Sequence, residues 1–372
     1  MIIVSQPFCT TAQFHLSFDA SVLRATCLAF SEEPVVYTTD PENLDRMKVA
    51  LGDPPPNLAF TAVGRGGGGH RRLRLHAILF KNLCECRRWA SEAGARCLLY
   101  LAFSTPSCAI HVARNVTATE YFIIHNNFQR SRLRKTEDLL FRFFARRARS
   151  LIVLEAPVAR ALRAAVDVPE RRIHLMPHPL PQIPSESVLP SSSRRRVLMP
   201  GRVTPAKGLE TLLEAVTMLK HRDPATLERL EILVAGPNYS GVDLAGKWPV
   251  RHLDRQMTDS ELQCLIRSAH FVLFPYHRRH YDYVCPGGVY WAMAAGVPVI
   301  ASQLKALNEL LTGDRPIGLP FGDSVHLVRR LQEAAAMGED EYLEFRNNVA
   351  YNAAKRSTSE TARCLRAILA SA

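Results

Sequence analysis

Short, almost wholly apolar runs recur along the chain, separated by longer stretches of helical period. IIVS at 2–5, VVYT at 35–38, LAFTA at 58–62, LLYLAF at 98–103, YFIIH at 121–125 and LIVLE at 151–155 are such runs. Four to six apolar residues without polar alternation suit strands covered on both faces, as in a parallel sheet. Between them, residues 11–30 and 73–94 carry apolar side chains at helical spacing. This alternation predicts a doubly wound α/β domain. It lapses over 177–196, PHPLPQIPSESVLPSSSRRR, whose Pro- and Ser-rich composition is that of a linker. It then resumes with RVLMPG at 196–201, LEILVAG at 230–236, HFVLFP at 270–275 and VPVIAS at 297–302, with helical patterns at 207–220 and 259–269. From about residue 325 the chain reads as helical throughout. A glycine-rich stretch at 64–69 is the low-complexity piece, and no short-period repeat is found.

The length of 372 residues, 47% of them hydrophobic and 22% charged, suits two α/β domains and excludes a disordered chain. No run of about 18 apolar residues is present, so no spanning helix is expected. The start, MIIVSQPFCTTAQ, lacks the basic n-region of a signal peptide. Nine cysteines, with Cys84 and Cys86 the close pair, fit no zinc or redox framework and point to reduced thiols in the cytoplasm. The net charge of +12 is uneven: residues 1–180 hold 24 Lys/Arg against 15 Asp/Glu. A basic first half implies an anionic partner. Nucleic acid is disfavoured, because there is no recognisable binding module and no aromatic interleaving. An anionic membrane surface or a phosphorylated substrate remains.

In open parallel sheets ligands bind beyond the carboxyl ends of the strands. Two junctions in the second half have the chemistry for that place. In MPGRVTPAKGLETLLEAV, at 199–216, a strand ends, a Gly turns the chain, and Arg202 and Lys207 precede a helix opening near Gly208. Two cations beside a helix N-terminus form a diphosphate clamp; the alternative is a solvated loop. In FPYHRRHYDYVCPGGVYWAMAAGVPVIAS, at 274–302, Pro286, Gly287 and Gly288 open a helix closed by Gly296. The first-turn amides of Gly287 and Gly288 are available to a phosphate, unless the glycines serve shape alone.

GRVTPAKGLETLLEAV, DSELQCLIRSAHFVLFP and AMAAGVPVIAS, in this order, resemble the family-four glycosyltransferases. YFIIHNNFQRSRLRK, SLIVLEAPVARAL and RIHLMPHPL resemble the end of that family's first domain. The resemblance implies a GT-B architecture, two Rossmann-like domains facing across a cleft. The expected boundaries are 1–180 for an acceptor domain, 181–195 for a linker, 196–345 for a nucleotide-sugar donor domain and 346–372 for a helix crossing back. It implies transfer of a sugar from a nucleotide-sugar donor to a glycan or lipid-linked glycan acceptor, with retention, without metal and without a cofactor. Arg202, Lys207, Gly287 and Gly288 would hold the donor diphosphate, and His125 would stand near the transferred sugar as the catalytic candidate. Cations and amides placed there stabilise the charge left on the departing phosphate. The chain departs from the family at its pair of glutamates, whose positions are taken by Tyr283 and Trp291. With Asp282, one residue earlier, these are the candidates for the donor sugar or nucleoside. A non-catalytic GT-B protein that binds nucleotide sugar or glycan is the alternative.

Four features have competing readings. His15, at the start of the first predicted helix, is a candidate for the acceptor side or a packed histidine. His178 between two prolines reads as structural. HRRH at 277–280 meets an anion or solvent. SRLRKTEDLLFRFFARRARS, at 131–150, joins basic residues to Leu139, Leu140, Phe141, Phe143 and Phe144, as a helix lying on an anionic membrane does, or a helix packed on its own domain. The expected place is the cytoplasm, including the inner face of the membrane.

Overall fold

The computed structural model describes residues 1–7, 16–63, 72–112, 117–183, 194–244 and 246–370, with backbone alone for 72–76. His15, the glycine-rich stretch and most of the proposed linker lie outside the described residues. The chain divides into two compact units. Met1–Pro181, Tyr283–Cys285 and Arg356–Ala372 form the first; Gln182–Asp282 and Pro286–Lys355 form the second.

The first unit is built on β1 (Ile2–Ser5), β2 (Val35–Thr39), β3 (Leu58–Ala62), β4 (Cys97–Tyr100), β5 (Thr119–Ile124), β6 (Ser150–Val153) and β7 (Ile173–Leu175). They pair in parallel in the order β3-β2-β1-β4-β5-β6-β7. The second unit holds β8 (Arg195–Pro200), β9 (Leu230–Ala235), β10 (Arg251–Leu253), β11 (Phe271–Phe274), β12 (Val299–Ser302) and β13 (Gly318–Phe321). Their order is β10-β9-β8-β11-β12-β13, again parallel. Both are Rossmann-like sheets in which the order reverses beside the first strand, so each has a switch point there, between β1 and β4 and between β8 and β11.

Three strands escape the reading from apolar runs: β7, β10 and β13. All are edge strands of three or four residues; β7 sets a histidine between its two apolar positions, and β10, Arg-His-Leu, has a single apolar residue. An edge strand is covered less completely, so its sequence need not be continuously apolar.

In the first unit Val4, Leu99, Ile123 and Ile152 pack with the helix Leu16–Ala29 and with Leu365 and Leu369 of the final helix, Thr358–Leu369. That final helix is pinned by Arg366 Nε to the Ala29 carbonyl at 2.7 Å and by the Tyr121 hydroxyl to the Ile368 carbonyl at 3.2 Å. The change of unit comes at Arg356 instead of residue 346, because 346–354 continue the helix Glu339–Ala354 of the second unit. Arg356 is fastened by a buried pair in which its Nη2 donates to both Glu155 oxygens at 2.9 Å. The second core joins Val197, Leu212, Val216, Ile232, Phe271 and Leu331.

A second buried ion pair organises the outer layer of the first sheet. Arg87 donates from Nε and Nη2 to the two oxygens of Glu120, each at 2.7 Å, and the Tyr100 hydroxyl adds a bond of 2.9 Å to the same carboxylate. Its third donor, Nη1, reaches the His111 carbonyl at 2.8 Å. Removing one partner strands the other charge in a dry interior, so Glu120→Ala is expected to lower stability by about 3–5 kcal/mol. Urea unfolding monitored by far-UV circular dichroism measures it; a loss under about 1 kcal/mol would show that Arg87 finds water instead.

Candidate functional site

The loop after β8 is shaped by glycine. Gly201 leaves the strand at φ 83°, and Gly208 adopts φ 72° between the 3-10 turn Pro205–Lys207 and the helix Leu209–Arg222. A Cβ on Gly208 would sit 1.8 Å from the Pro275 carbonyl oxygen, so only glycine lets this helix start approach the end of β11. The two loops are tied by the His277 amide, which donates to the Ala206 carbonyl at 3.0 Å. The β8 and β11 loops therefore meet over the switch point of the second sheet.

Lys207 is folded back into this junction. Its Nζ lies 3.2 Å from where a Gly201 Cβ would stand and 5.6 Å from the centre of the Tyr276 ring. No carboxylate among the described residues pairs with it. Burial and, after it, the charge of Arg202 bring its pKa down from 10.5 to about 8. A desolvated ammonium repelled by a neighbouring guanidinium has the electrostatics of a site that awaits an anion. Arg202 is half-buried, one residue beyond Gly201.

The glycine-rich helix comes to the same place. Tyr276 packs edge-on against Phe274 with centroids 5.6 Å apart, and a Cβ on Gly288 would come within 2.8 Å of the Phe274 ring. The helix Gly287–Ala294 therefore starts on the aromatic floor that carries Lys207. Its first amides have no carbonyl one turn earlier to bond. Gly287 is exposed with open space at its Cβ direction, whereas Gly288 touches the ring. Arg202, Lys207, Gly287 and Gly288 are thus gathered around β8 and β11.

The other candidates lie elsewhere or are otherwise engaged. Asp282 accepts from the Lys305 amide at 3.1 Å and from Arg278 Nε at 3.4 Å, with Lys305 Nζ at 3.7 Å. Its carboxylate holds the turn Lys305–Leu307 in place, a juxtaposition across 23 residues that local pattern does not reveal. Tyr283 belongs to the first unit: its ring is buried edge-on against Phe128 at 5.1 Å, Arg132 lies over it at 5.4 Å, and its amide donates to Gln129 Oε1 at 2.8 Å. Trp291 is half-buried in the Gly287–Ala294 helix. The HRRH residues form an exposed turn after β11 in which His277 faces Glu210 at 3.8 Å.

In the first unit His125 follows β5. Its Nε2 lies 2.8 Å from the Leu101 carbonyl, which only accepts, so Nε2 carries the proton. Phe18 meets the His125 ring edge-on at 4.5 Å and the His178 ring at 4.9 Å. His178 is buried and bonded through Nδ1 to the Pro179 carbonyl at 2.8 Å. Among the described residues no three His, Cys, Asp or Glu side chains gather as a metal site. Eight cysteines are described, none of them in a disulfide; burial pushes Cys97 up to about 11, which keeps it protonated and unreactive.

Comparison with known proteins places this geometry. Residues 194–336 match the family model "Glycosyl transferases group 1". The fold is GT-B, and the second unit is the part that matches the group 1 glycosyltransferase model. A 136-residue stretch is 32% identical to D-inositol 3-phosphate glycosyltransferase of Salinispora arenicola, covering 31% of this chain and 29% of that relative. The chain thus matches under a third of that relative's length. Over its full length the fold resembles WaaG, a glycosyltransferase involved in lipopolysaccharide biosynthesis, with TM-score 0.65, 13% identity and 100% of each chain covered. It also resembles an E. coli trehalose-6-phosphate protein bound with UDP-2-fluoro glucose, with TM-score 0.68, 14% identity and 99% and 98% covered.

Lys207 has two measurable consequences. Anion binding favours its protonated form, so nucleoside-diphosphate affinity should hold up to about pH 8 and then fall, at most tenfold per pH unit. Lys207→Met should bind at least about tenfold more weakly, with no such fall, by titration calorimetry between about pH 7.5 and 9.5. Because the folded pKa lies below 10.5, the folded state binds fewer protons than the unfolded between about 8 and 10.5. The buried charge therefore opposes folding below pH 8, and that opposition fades as pH rises to 10.5. Lys207→Met should accordingly raise Tm at pH 7 by roughly 2–4 °C. Gly288→Ala should disturb the helix start through Phe274, while Gly287→Ala should leave thermal unfolding unchanged.

Proposed function

We propose that the chain is a nucleotide-sugar-dependent glycosyltransferase whose second domain binds the donor diphosphate through Arg202, Lys207 and the Gly287–Gly288 helix start. The observation that carries this reading is the unpaired, desolvated Lys207 at the β8–β11 switch point inside a group 1 domain. The guanidinium of Arg202 offers paired donors to phosphate oxygens, and Lys207 supplies a point charge. When the glycosyl–phosphate bond breaks, negative charge grows on the departing diphosphate, and these fixed cations and amides stabilise it without reorganising. No metal or cofactor is needed for that step, and retention of configuration follows the family resemblance. His125, held by Leu101 and Phe18 at the carboxyl end of the first sheet, is the residue assigned to the reacting sugar.

The acceptor proposed is a glycan or lipid-linked glycan, reached in the cytoplasm at an anionic membrane face, in polysaccharide biosynthesis. The helix Lys135–Arg147 supports this. It turns Phe141 and Phe144 into the domain and leaves Leu139, at 68% exposure, Leu140 and Phe143 outside. Arg147 lies 3.8 Å over the Phe143 ring, and Arg134, Lys135 and Arg146 are exposed around it. Apolar insertion with surrounding cations is the pattern of an interfacial helix. No helix among the described residues is long and apolar enough to cross a membrane.

A second reading, binding without turnover, is favoured by one observation: Tyr283 and Trp291 stand where the family has glutamates, and Asp282 is committed to Lys305 and Arg278. Incubation with UDP-, GDP- and dTDP-sugars separates the two. Release of nucleoside diphosphate, lowered roughly 100-fold in His125→Ala with binding retained, supports transfer. Binding with no release across the panel supports the second reading, and no binding at all defeats both. Sedimentation with anionic vesicles should fall with added salt, through screening over about 8 Å at physiological strength, and with Leu139→Glu. Equal sedimentation with neutral vesicles would remove the membrane from the proposal.

A further inference from the structure

The switch point of the first sheet holds a polar pair that the proposed reaction does not use. Gln6 follows β1, and Asp19 lies in the first turn of the helix Leu16–Ala29. Both are buried, at 6% and 3% exposure. Gln6 Nε2 donates to Asp19 Oδ2 at 3.0 Å. The remaining oxygens, Gln6 Oε1 and Asp19 Oδ1, are buried and have no hydrogen-bond partner among the described residues. The two orphans are therefore the second atoms of one pair that is already bonded through its first. Were Asp19 ionised, two acceptors would be left facing a dry interior, at a cost well above that of an ordinary lost hydrogen bond. One proton removes both defects, because Oδ1–H can donate to Oε1 and close an eight-membered ring.

We infer that Gln6 and Asp19 form a neutral acid–amide ring that ties the end of β1 to the start of the following helix and thereby positions His125. The connection to His125 is one residue long. Phe18, next to Asp19, lies edge-on against the rings of both His125 and His178. The Thr39 hydroxyl donates to the Gln6 carbonyl at 3.0 Å and anchors the other end of the pair. Burial, opposed by the bond from Gln6, raises Asp19 to about 8. The charged and titratable groups on the surrounding elements are Asp40, His125, His178, Arg24, Cys27 and Arg366. None of them is hydrogen-bonded to Asp19, so among the described residues no cation bonded to it offsets ionisation. Above pH 8 the proton leaves to solvent, the ring opens, and Phe18 is free to shift against His125. Asp19 is thus a positioning residue, and its part in turnover rests on the glycosyltransferase reading, whereas the ring does not.

Carbon-13 NMR of the unmodified chain, labelled at the aspartate carboxyls, tests the ring without any donor. One aspartate carboxyl should remain protonated at pH 7 and titrate near pH 8. Its resonance should vanish in Asp19→Asn, which can form the same two bonds as an amide pair and should keep the parent Tm; Asp19→Ala should not. The His125 ring resonances should move at the same pH in the parent and stay still in Asp19→Asn. If every aspartate carboxyl is ionised at pH 7, the ring is wrong, and the unmodified chain decides that even if no variant folds. If the carboxyl titrates and His125 does not respond, the positioning role is wrong. Should transfer be found, Asp19→Asn should lose the alkaline fall in kcat at saturating donor, whereas the Lys207 effect lies in donor affinity. Absence of transfer leaves both NMR results standing and counts against the glycosyltransferase reading alone.

Discussion

A half-buried ammonium with no carboxylate beside it among the described residues is the constraint around which the second domain is arranged. Lys207 would be relieved by moving out to solvent, and the structure prevents this through Gly208, whose backbone lies against Pro275, and Gly201, whose missing side chain leaves room for Nζ. Arg202 raises the tension by repulsion. Tyr276 faces Lys207 and accepts some of its charge through its ring. The desolvated charge costs stability locally, a trade of the kind found at functional sites.

Parallel sheets explain why such sites fall where they do. Within each sheet every strand runs the same way, so the loops that follow its strands collect on one edge of that sheet. At the switch point neighbouring loops diverge to opposite faces, which opens space above the strand ends. The two domains use this edge with opposite chemistry. The second presents cations and glycine amides. The first presents His125, Phe18 and a neutral polar pair, with its excess of positive charge displaced to helices such as Lys135–Arg147. The basic half of the chain is therefore not the half that holds the proposed diphosphate cradle.

The legibility of this chain follows from how local each signal is. Strands covered on both faces, such as β1, β4 and β11, announce themselves as apolar runs, while the edge strands β7 and β10 do not, because partial cover tolerates Arg and His. The Lys207–Gly208 loop stands out as a strand-to-helix junction because strand end, glycine and cation lie between 200 and 208. Tyr283 does not, since its partners Phe128 and Gln129 lie over 150 residues away. The amphipathic helix at 131–150 was readable as a type, but which of its phenylalanines faced inward was decided by packing: Phe141 and Phe144 turn in and Phe143 turns out.

Gln6 and Asp19 show the same limit from the side of function. A glutamine after a strand and an aspartate in a first helical turn look like a solvated amide and a carboxylate favouring the helix dipole. Burial of both inverts that expectation, because the helix terminus cannot compensate a carboxylate that has lost water and gained a single amide donor. The same desolvation acts on Lys207, yet with the opposite result. There the charged form persists below about pH 8, at a cost that a bound anion would offset. At Asp19 no ligand is required, since the partner that completes the neutral form is already bonded. One group thus keeps its charge with no carboxylate beside it among the described residues, and the other is held free of the charge it would ordinarily carry.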